Sequence, residues 1–191
     1  EILNITLTKR GTTPMCGIPF HAANNYIGKL LQAGCKVALC EQTEEAEPGK
    51  LVNREVKQIL SPGTHFEEQI LNANHNNYLA AICRNKDTYG LALIDLTTGD
   101  FKVTEATSIT DLESELDRLK PAEIVVPSGI YQITEKLRKD GVVLNEHEDW
   151  VFASDSATYT LQDYFCVKSL DGFGLKNRNT AIGAAGGALH Y

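Results

Sequence analysis

No stretch of this sequence is apolar enough to cross a bilayer as a helix. The longest uncharged apolar-rich run, Thr180 to Tyr191, is broken by Gly183, Gly186 and Gly187 and falls short of the ~18 residues such a span needs, so no membrane association is expected. Glu1-Ile2-Leu3-Asn4-Ile5 lacks the basic region and apolar core of a signal peptide. It also lacks an initiator Met and starts inside a strand-like pattern, so the chain is expected to be a piece of a longer protein. Cys16, Cys35, Cys40, Cys83 and Cys166 never form Cys-x-x-Cys, and their odd number and irregular spacing suit reduced thiols of a cytosolic, cytoplasmic protein better than a disulfide framework. His21, His65, His75, His147 and His190 fall singly, with no His-Glu-x-x-His and no Cys/His pairing at zinc spacing, so no metal is expected. A phosphate-cradling P-loop is missing too. Gly28-Lys29 and Gly49-Lys50 are each followed by Leu, and Ala23 and Glu44 stand where the first glycine of the motif belongs. No nucleotide cofactor and no catalysis are expected of this stretch.

Positive charge is scarce after the first third. Up to Pro62 there are 7 Lys and Arg against 6 Asp and Glu, and from Gly63 onward 11 against 19. The second part, at a net −8 of the total −7, repels phosphate and is a poor candidate for broad nucleic-acid binding. The first part is close to neutral, and a few well-placed cations there suffice to hold DNA. With 42% hydrophobic and 23% charged residues over 191 positions, the chain is long and apolar enough for one globular domain or two small ones.

Leu3, Ile5 and Leu7 alternate with polar residues, which predicts a half-buried strand. A loop follows at Gly11-Thr12-Thr13-Pro14, and a helix is predicted over Ala22 to Ala33, with Tyr26, Leu30 and Ala33 at helical spacing, Ile27 and Leu31 beside them, and Gly34 as its C′ residue. Lys36 to Cys40 reads as a short buried strand, Glu44 to Leu51 as a polar loop, and Val52 to Leu60 as a strand closed by the Ser61-Pro62-Gly63 turn. Thr64 to Asn77 reads as a polar, Asn-rich linker. Beyond it Tyr78–Arg84, Tyr89–Leu96 and Asp100–Thr104, joined by short loops, predict an antiparallel meander. The period then changes to 3.6, with Leu112, Leu116 and Leu119 on one face of a helix that Pro121 stops. A strand at Glu123–Val126, a helix at Ile130–Lys139, a strand at Val142–Leu144 and helices at Thr158–Val167 and Thr180–Tyr191 complete the pattern. The fold class is α/β (α+β) in two small domains: a partial mixed-sheet domain at residues 1–63, a linker at 64–77, and an RNase H-like domain at 78–191.

Asp95 ends the apolar run Ala92-Leu93-Ile94 and is a candidate metal ligand of an RNase H-like nuclease. Two-metal chemistry needs several more carboxylates beside it, and Asp100, Glu123 and Asp163 have no motif to bring them there. The alternative is that Asp95 starts the Asp-Leu-Thr-Thr-Gly-Asp turn and accepts from its own downstream backbone N–H groups, in which case Asn in its place keeps most of the bonding. Gly11 to Phe20 is dense in Gly and Pro, which fixes a backbone shape few sequences require. Lys9 and Arg10 at the end of a strand are able to reach a pair of phosphate oxygens, or simply to face water.

Leu7-Thr8-Lys9-Arg10-Gly11, Pro14-Met15-Cys16-Gly17-Ile18-Pro19-Phe20-His21-Ala22, Val37-Ala38-Leu39-Cys40-Glu41-Gln42 and Ser61-Pro62-Gly63-Thr64 resemble the MutS family of DNA mismatch repair proteins. Gly90-Leu91-Ala92-Leu93-Ile94-Asp95-Leu96-Thr97-Thr98-Gly99-Asp100-Phe101 and Leu170-Asp171-Gly172-Phe173-Gly174-Leu175 continue the likeness in the same order. The resemblance implies the back part of a mismatch-recognition domain followed by a connector domain. It also implies the family's work: a homodimer that uses ATP and magnesium in its other domains, binds mismatched double-stranded DNA and recruits MutL. The chain begins just after the place where the family carries its Phe-x-Glu wedge. By match to the family's segments, Arg10 and Met15, with Lys9 third, are the expected DNA-binding residues. An RNase H-like nuclease and a superfamily member acting in recombination are the alternative readings.

Overall fold

The computed structural model describes residues 2–45, 52–64, 76–130, 137 and 142–191. Two compact units divide the chain, Glu1–Ile70 and Leu71–Tyr191.

In the first unit the opening expectation fails. Leu3 and Ile5 are half-buried between exposed Asn4 and Thr6, so the alternation is there, but these residues form no ladder among the described residues. Asn4 has a φ of 52°, which turns the chain out of the extended region a strand requires. The first strand comes three residues later. β1 (Thr8–Arg10) pairs antiparallel with β2 (Thr13–Met15), so the segment read as a loop is a hairpin closed by Gly11-Thr12. Gly11, with φ at 63°, takes the first central position of a two-residue turn, where a side chain would be strained. Pro14 lies opposite Lys9 and is tolerated because a two-stranded ribbon is all edge.

A 3-10 turn (Phe20–Ala22) leads into α1 (Ala23–Gln32). The helix buries Ile27 and Leu31, with Tyr26 and Leu30 half-buried and Ala33 exposed, so the inward stripe is rotated by one position from the predicted face. Gly34 at φ 79° and the Cys35 N–H bond to the Leu30 carbonyl, 2.9 Å, close α1 in a Schellman motif as expected. β3 (Val37–Gln42) and β4 (Arg54–Leu60) form an antiparallel pair with an irregularity between Leu39 and Cys40. The predicted buried strand is instead half-buried at Val37 and Leu39 and exposed at Ala38 and Cys40, because among the described residues the helix covering it is α1, on the face of Val37 and Leu39. The core of this unit is Ile27, Leu31 and Leu60, with Ala23, Val37 and Leu39 against it. Most of the predicted Glu44–Leu51 loop and of the Thr64–Asn77 linker lies outside the described residues.

The second unit is a five-stranded sheet: β5 (Tyr78–Asn85), β6 (Thr88–Asp95), β7 (Asp100–Ala106), β8 (Glu123–Pro127) and β9 (Val143–His147), in the order β7-β6-β5-β8-β9. β6 alone runs against the rest, since it pairs antiparallel with β5 and β7 while β8 lies parallel to β5 and β9 to β8. That is the RNase H-like arrangement expected from a meander followed by alternating helices and strands. Strand alternation splits the core in two. Ala80, Ile82, Leu91, Leu93, Ile124 and Val126 pack with Leu112 and Leu116 of α2 (Ile109–Leu119) on one face. Leu79, Ala81, Ala92 and Val125 pack on the other with Ala157 and Leu161 of α3 (Ser154–Tyr164) and Ile182, Ala184, Ala185 and Ala188 of α4 (Asn179–His190). Ser108 caps α2, accepting from the Asp111 N–H at 3.1 Å. The helix predicted at Ile130–Lys139 lies outside the described residues except for Ile130 and the buried Leu137.

Glycines let α4 come this close. A Cβ on Gly90 of β6 would lie 2.0 Å from the Thr180 carbonyl oxygen, and one on Gly186 of α4 would lie 2.4 Å from the Ala157 Cβ on α3. Neither obstacle is the end of a flexible side chain, so backbone has to move. Gly90→Ala and Gly186→Ala are each expected to cost about 2 kcal/mol or more by overpacking, while Gly172→Ala, with nothing within 4 Å of its Cβ, stays within about 0.5 kcal/mol. Urea denaturation of the three variants measures this, and a Gly90→Ala chain as stable as the parent contradicts the packing described.

Candidate nucleic-acid interface

The β1–β2 ribbon sets the geometry of the first site. Thr8 lies opposite Met15, Lys9 opposite Pro14 and Arg10 opposite Thr13. Directly opposed residues share a face of an antiparallel pair, so Thr8, Arg10, Thr13 and Met15 lie on one side and Lys9 on the other. Two expected contact residues, Arg10 and Met15, are therefore brought together diagonally across the ribbon, and Lys9 is turned away from them. All three are exposed, Met15 at 47%. The Thr8 hydroxyl donates to the Met15 carbonyl at 2.8 Å and pins the open end of the hairpin. Neither Lys9 nor Arg10 has an ion pair among the described residues. Beyond the ribbon, Gly17-Ile18-Pro19 delivers Phe20 with 96% of its surface exposed. Sequence reasoning singled out this segment but not the ring itself. An aromatic standing in water five residues beyond a cationic ribbon is the kind of side chain that contacts a base or a groove wall.

The acids considered for a nuclease site are not gathered. Asp95 is fully buried. Its Oδ1 accepts from the Thr97 N–H at 2.9 Å and the Thr97 hydroxyl at 2.6 Å, and its Oδ2 accepts from Asn76 Nδ2 at 3.0 Å. Burial works against ionisation, but the bonds from Thr97, Asn76 and the Asn77 N–H outweigh it and hold the carboxyl below its ordinary 3.8. Asp100 is paired with Lys102 at 2.6 Å, and this bond, with that from Lys102 Nζ to the Tyr78 hydroxyl, raises the ammonium to about 12. Glu123 accepts from Asn145 Nδ2 at 2.5 Å and from the Tyr191 hydroxyl. Asp163 sits at the far end of α3. Among the described residues no three His, Cys, Asp or Glu side chains gather as a metal ion would require. The Gly28-Lys29 pair lies inside α1, where Gly28 is buried, so its backbone is committed to the helix and does not fit a phosphate.

A family model for MutS domain II matches residues 77–191, and one for MutS domain I matches residues 1–69. The chain belongs to the MutS family. The DNA mismatch repair protein MutS of Solibacter usitatus is 42% identical over 196 residues, covering 99% of this chain and 22% of the relative. Those of Salinibacter ruber and Myxococcus xanthus are 39% and 41% identical over all of this chain, again covering 22% of each relative. The chain thus spans about a fifth of the length of the curated relatives it matches. Phe66-Glu67-Glu68 has the letters of a Phe-x-Glu motif, but it lies within the last four residues of the domain I match and outside the described residues.

For this MutS-family chain the structure revises what Asp95 does. The turn role is present, but the same carboxylate also fastens Asn76 and Asn77 to the β6–β7 turn, so both oxygens face donors. Asn at this position sets an NH2 against one of them. Asp95→Asn is expected to cost about 1 kcal/mol and Asp95→Ala about 2–3 kcal/mol at neutral pH. Because the folded carboxyl titrates below its unfolded value, this contribution is present above 3.8 and is lost as pH falls through the folded pKa. Denaturation of the parent and Asp95→Asn as a function of pH checks it: the gap between them closes on acidification below 3.8, and a gap that does not change with pH would show the carboxylate charge to be irrelevant.

Proposed function

We propose that this chain is part of a mismatch sensor joined to a coupling domain, acting in DNA mismatch repair. Its first unit contributes to holding mispaired or extrahelical bases in duplex DNA, and its second relays the DNA-bound state and offers a surface to MutL. The observation that carries the reading is the exposed ribbon with Arg10 and Met15 on one face, in a segment matched by MutS domain I. Arg10 serves as a phosphate contact, Met15 lies against the sugar–base edge of a groove, and Lys9, on the other face, reaches a different phosphate or none. In the whole protein the chain works in the cytoplasm within a homodimer, with ATP and magnesium handled by other domains and no catalysis by these residues. Membership in a repair protein is preferred to the recombination reading because the relatives named above are mismatch repair proteins.

Near-neutral charge in the first unit implies that binding releases only one or two counterions, a salt slope of about −1 to −2. Labelled homoduplex and G·T heteroduplex titrated at two salt concentrations are therefore expected to bind weakly and equally, with Arg10→Ala flattening the slope. Binding unchanged by removing both Arg10 and Lys9 would place the DNA contact elsewhere.

The second unit is expected to meet MutL weakly on its own, in the transient range, because its net charge disfavours DNA and nothing in it sets a DNA- or ATP-dependent state. Cross-linking of this chain to the MutL N-terminal domain tests the assignment, with adducts expected beyond Tyr78. Adducts confined to Leu3–Leu60 would put the partner on the wrong unit.

A further inference from the structure

Between β7, the end of α3, the 3-10 turn Asp171–Phe173 and the start of α4 lies a cleft of about 430 Å³, within the size range of ligand-binding sites. Phe101, Phe165 and Phe173 form its aromatic wall, with ring centroids 6.0 Å apart for the first two and 5.5 Å for the last two. Leu161, Leu170 and Leu175 are among its other apolar lining residues. The wall is not sealed, since Phe173 is 56% exposed and Phe165 37%. Arg178 is the one charged residue among the described lining, where no carboxylate appears. It is exposed, precedes α4 directly and has no ion pair among the described residues. The nearby Glu105 carboxylate is engaged with the Ala181 N–H at 3.0 Å. In a part of the chain with a net −8, an open apolar cleft ending in an unpaired guanidinium is a local reversal of sign.

We propose that this cleft docks a short peptide segment of a partner protein that brings one bulky apolar side chain and, next to it, a carboxylate. The apolar anchor fills the space between the three rings, where burial of an aromatic or leucine side chain gives the affinity. The carboxylate pairs with Arg178, whose planar fork suits it in a bidentate bond and fixes the direction in which the peptide lies. The same pairing rejects a basic segment, which an uncharged cleft in an acidic domain would attract. The assignment rests on the second unit being the partner-facing half of the chain.

The test is a methyl NMR titration of the whole chain with an acetylated, amidated pentapeptide holding a phenylalanine followed by a glutamate. The methyl groups of Val103, Leu161, Leu170 and Leu175 are expected to shift at peptide concentrations up to about 5 mM, a weak affinity for so small a ligand. Replacing the peptide's glutamate by glutamine, or Arg178→Gln in the protein, is expected to weaken binding about two- to fivefold, the range of an exposed ion pair, and the two changes together no further. Phe173→Ala, at an exposed position, removes part of the wall and weakens both peptides alike. Absence of shifts at these methyls overturns the proposal, as does equal affinity for the glutamate and glutamine peptides. Shifts that grow with protein concentration alone overturn it in favour of a second copy. If the MutL N-terminal domain contacts the second unit while these methyls stay still, the partner-facing reading holds and the cleft assignment falls.

Discussion

The architecture of the second unit depends on how near α4 can come to the sheet. Where Gly90 of β6 meets Thr180 there is no room for a single carbon, and along α4 the small residues Gly183, Gly186 and Gly187 are pressed against Phe152 and Ala157. A helix this rich in glycine has little intrinsic stability, so it is held by what it touches, and the dispersion contacts of close backbone approach replace those of large side chains. Gly90 lies at the middle of the three-stranded meander. The tight seat of α4 therefore also fixes α3 and, beyond it, the segment from Phe165 to Arg178 that walls the cleft.

Much of this was legible in the sequence, and what was not has identifiable causes. The meander, α2 and the RNase H-like strand order follow from local turn chemistry and from periods of 2 and 3.6, which a single sequence displays, whereas the Ser108 cap of α2 is seen only in the structure. The opening segment is not the strand its alternation suggests because Leu3 and Ile5 report burial and not pairing, Leu7 is exposed, and a strand needs a neighbour that the pattern does not specify. The hairpin at Gly11-Thr12 was hidden by Pro14, which reads as a loop residue until it stands on a ribbon with two free edges. α1 turned by one position because Tyr26, Leu30 and Ala33 fit the helical period as well as Ile27 and Leu31, and only the position of β3 decides between them. At the candidate DNA site the identity of Arg10, Met15 and Lys9 came from resemblance. Their division between two faces came from the register, which no composition encodes.

Asp95 illustrates a buried acid whose charge is structural. A carboxylate removed from water is unfavourable unless donors surround it, and here Thr97, Asn76 and Asn77 surround it just ahead of the first strand of the sheet. Tyr78, the next residue, is engaged by Lys102 at 3.0 Å, and Lys102 is itself paired with Asp100 at 2.6 Å. Three consecutive residues, Asn76 to Tyr78, are thus tied to the ends of β6 and β7. The acid that would serve a nuclease as a metal ligand has no lone pair to spare for one, and the same bonds that remove it from chemistry fix where the sheet starts.

The two units hold their shapes by different means, and the difference bears on what each is able to contact. The second has apolar layers on both sides of its sheet, so its surface is carried by a packed interior. The first has, among its described residues, three buried apolar side chains in its core, and its form rests on local backbone devices: the Gly11 turn with the Thr8 to Met15 bond, the Schellman closure at Gly34, and the Ser61–Thr64 turn, where the two hydroxyls meet at 2.8 Å. Such devices specify the path of the backbone without covering it. Leu7, Phe20, Val56 and Ile59 are accordingly left more than half exposed. A ribbon shaped by its turns and not by a core beneath it keeps both faces available. That is the condition under which Arg10 and Met15 on one side, and Lys9 on the other, are each free to meet a ligand.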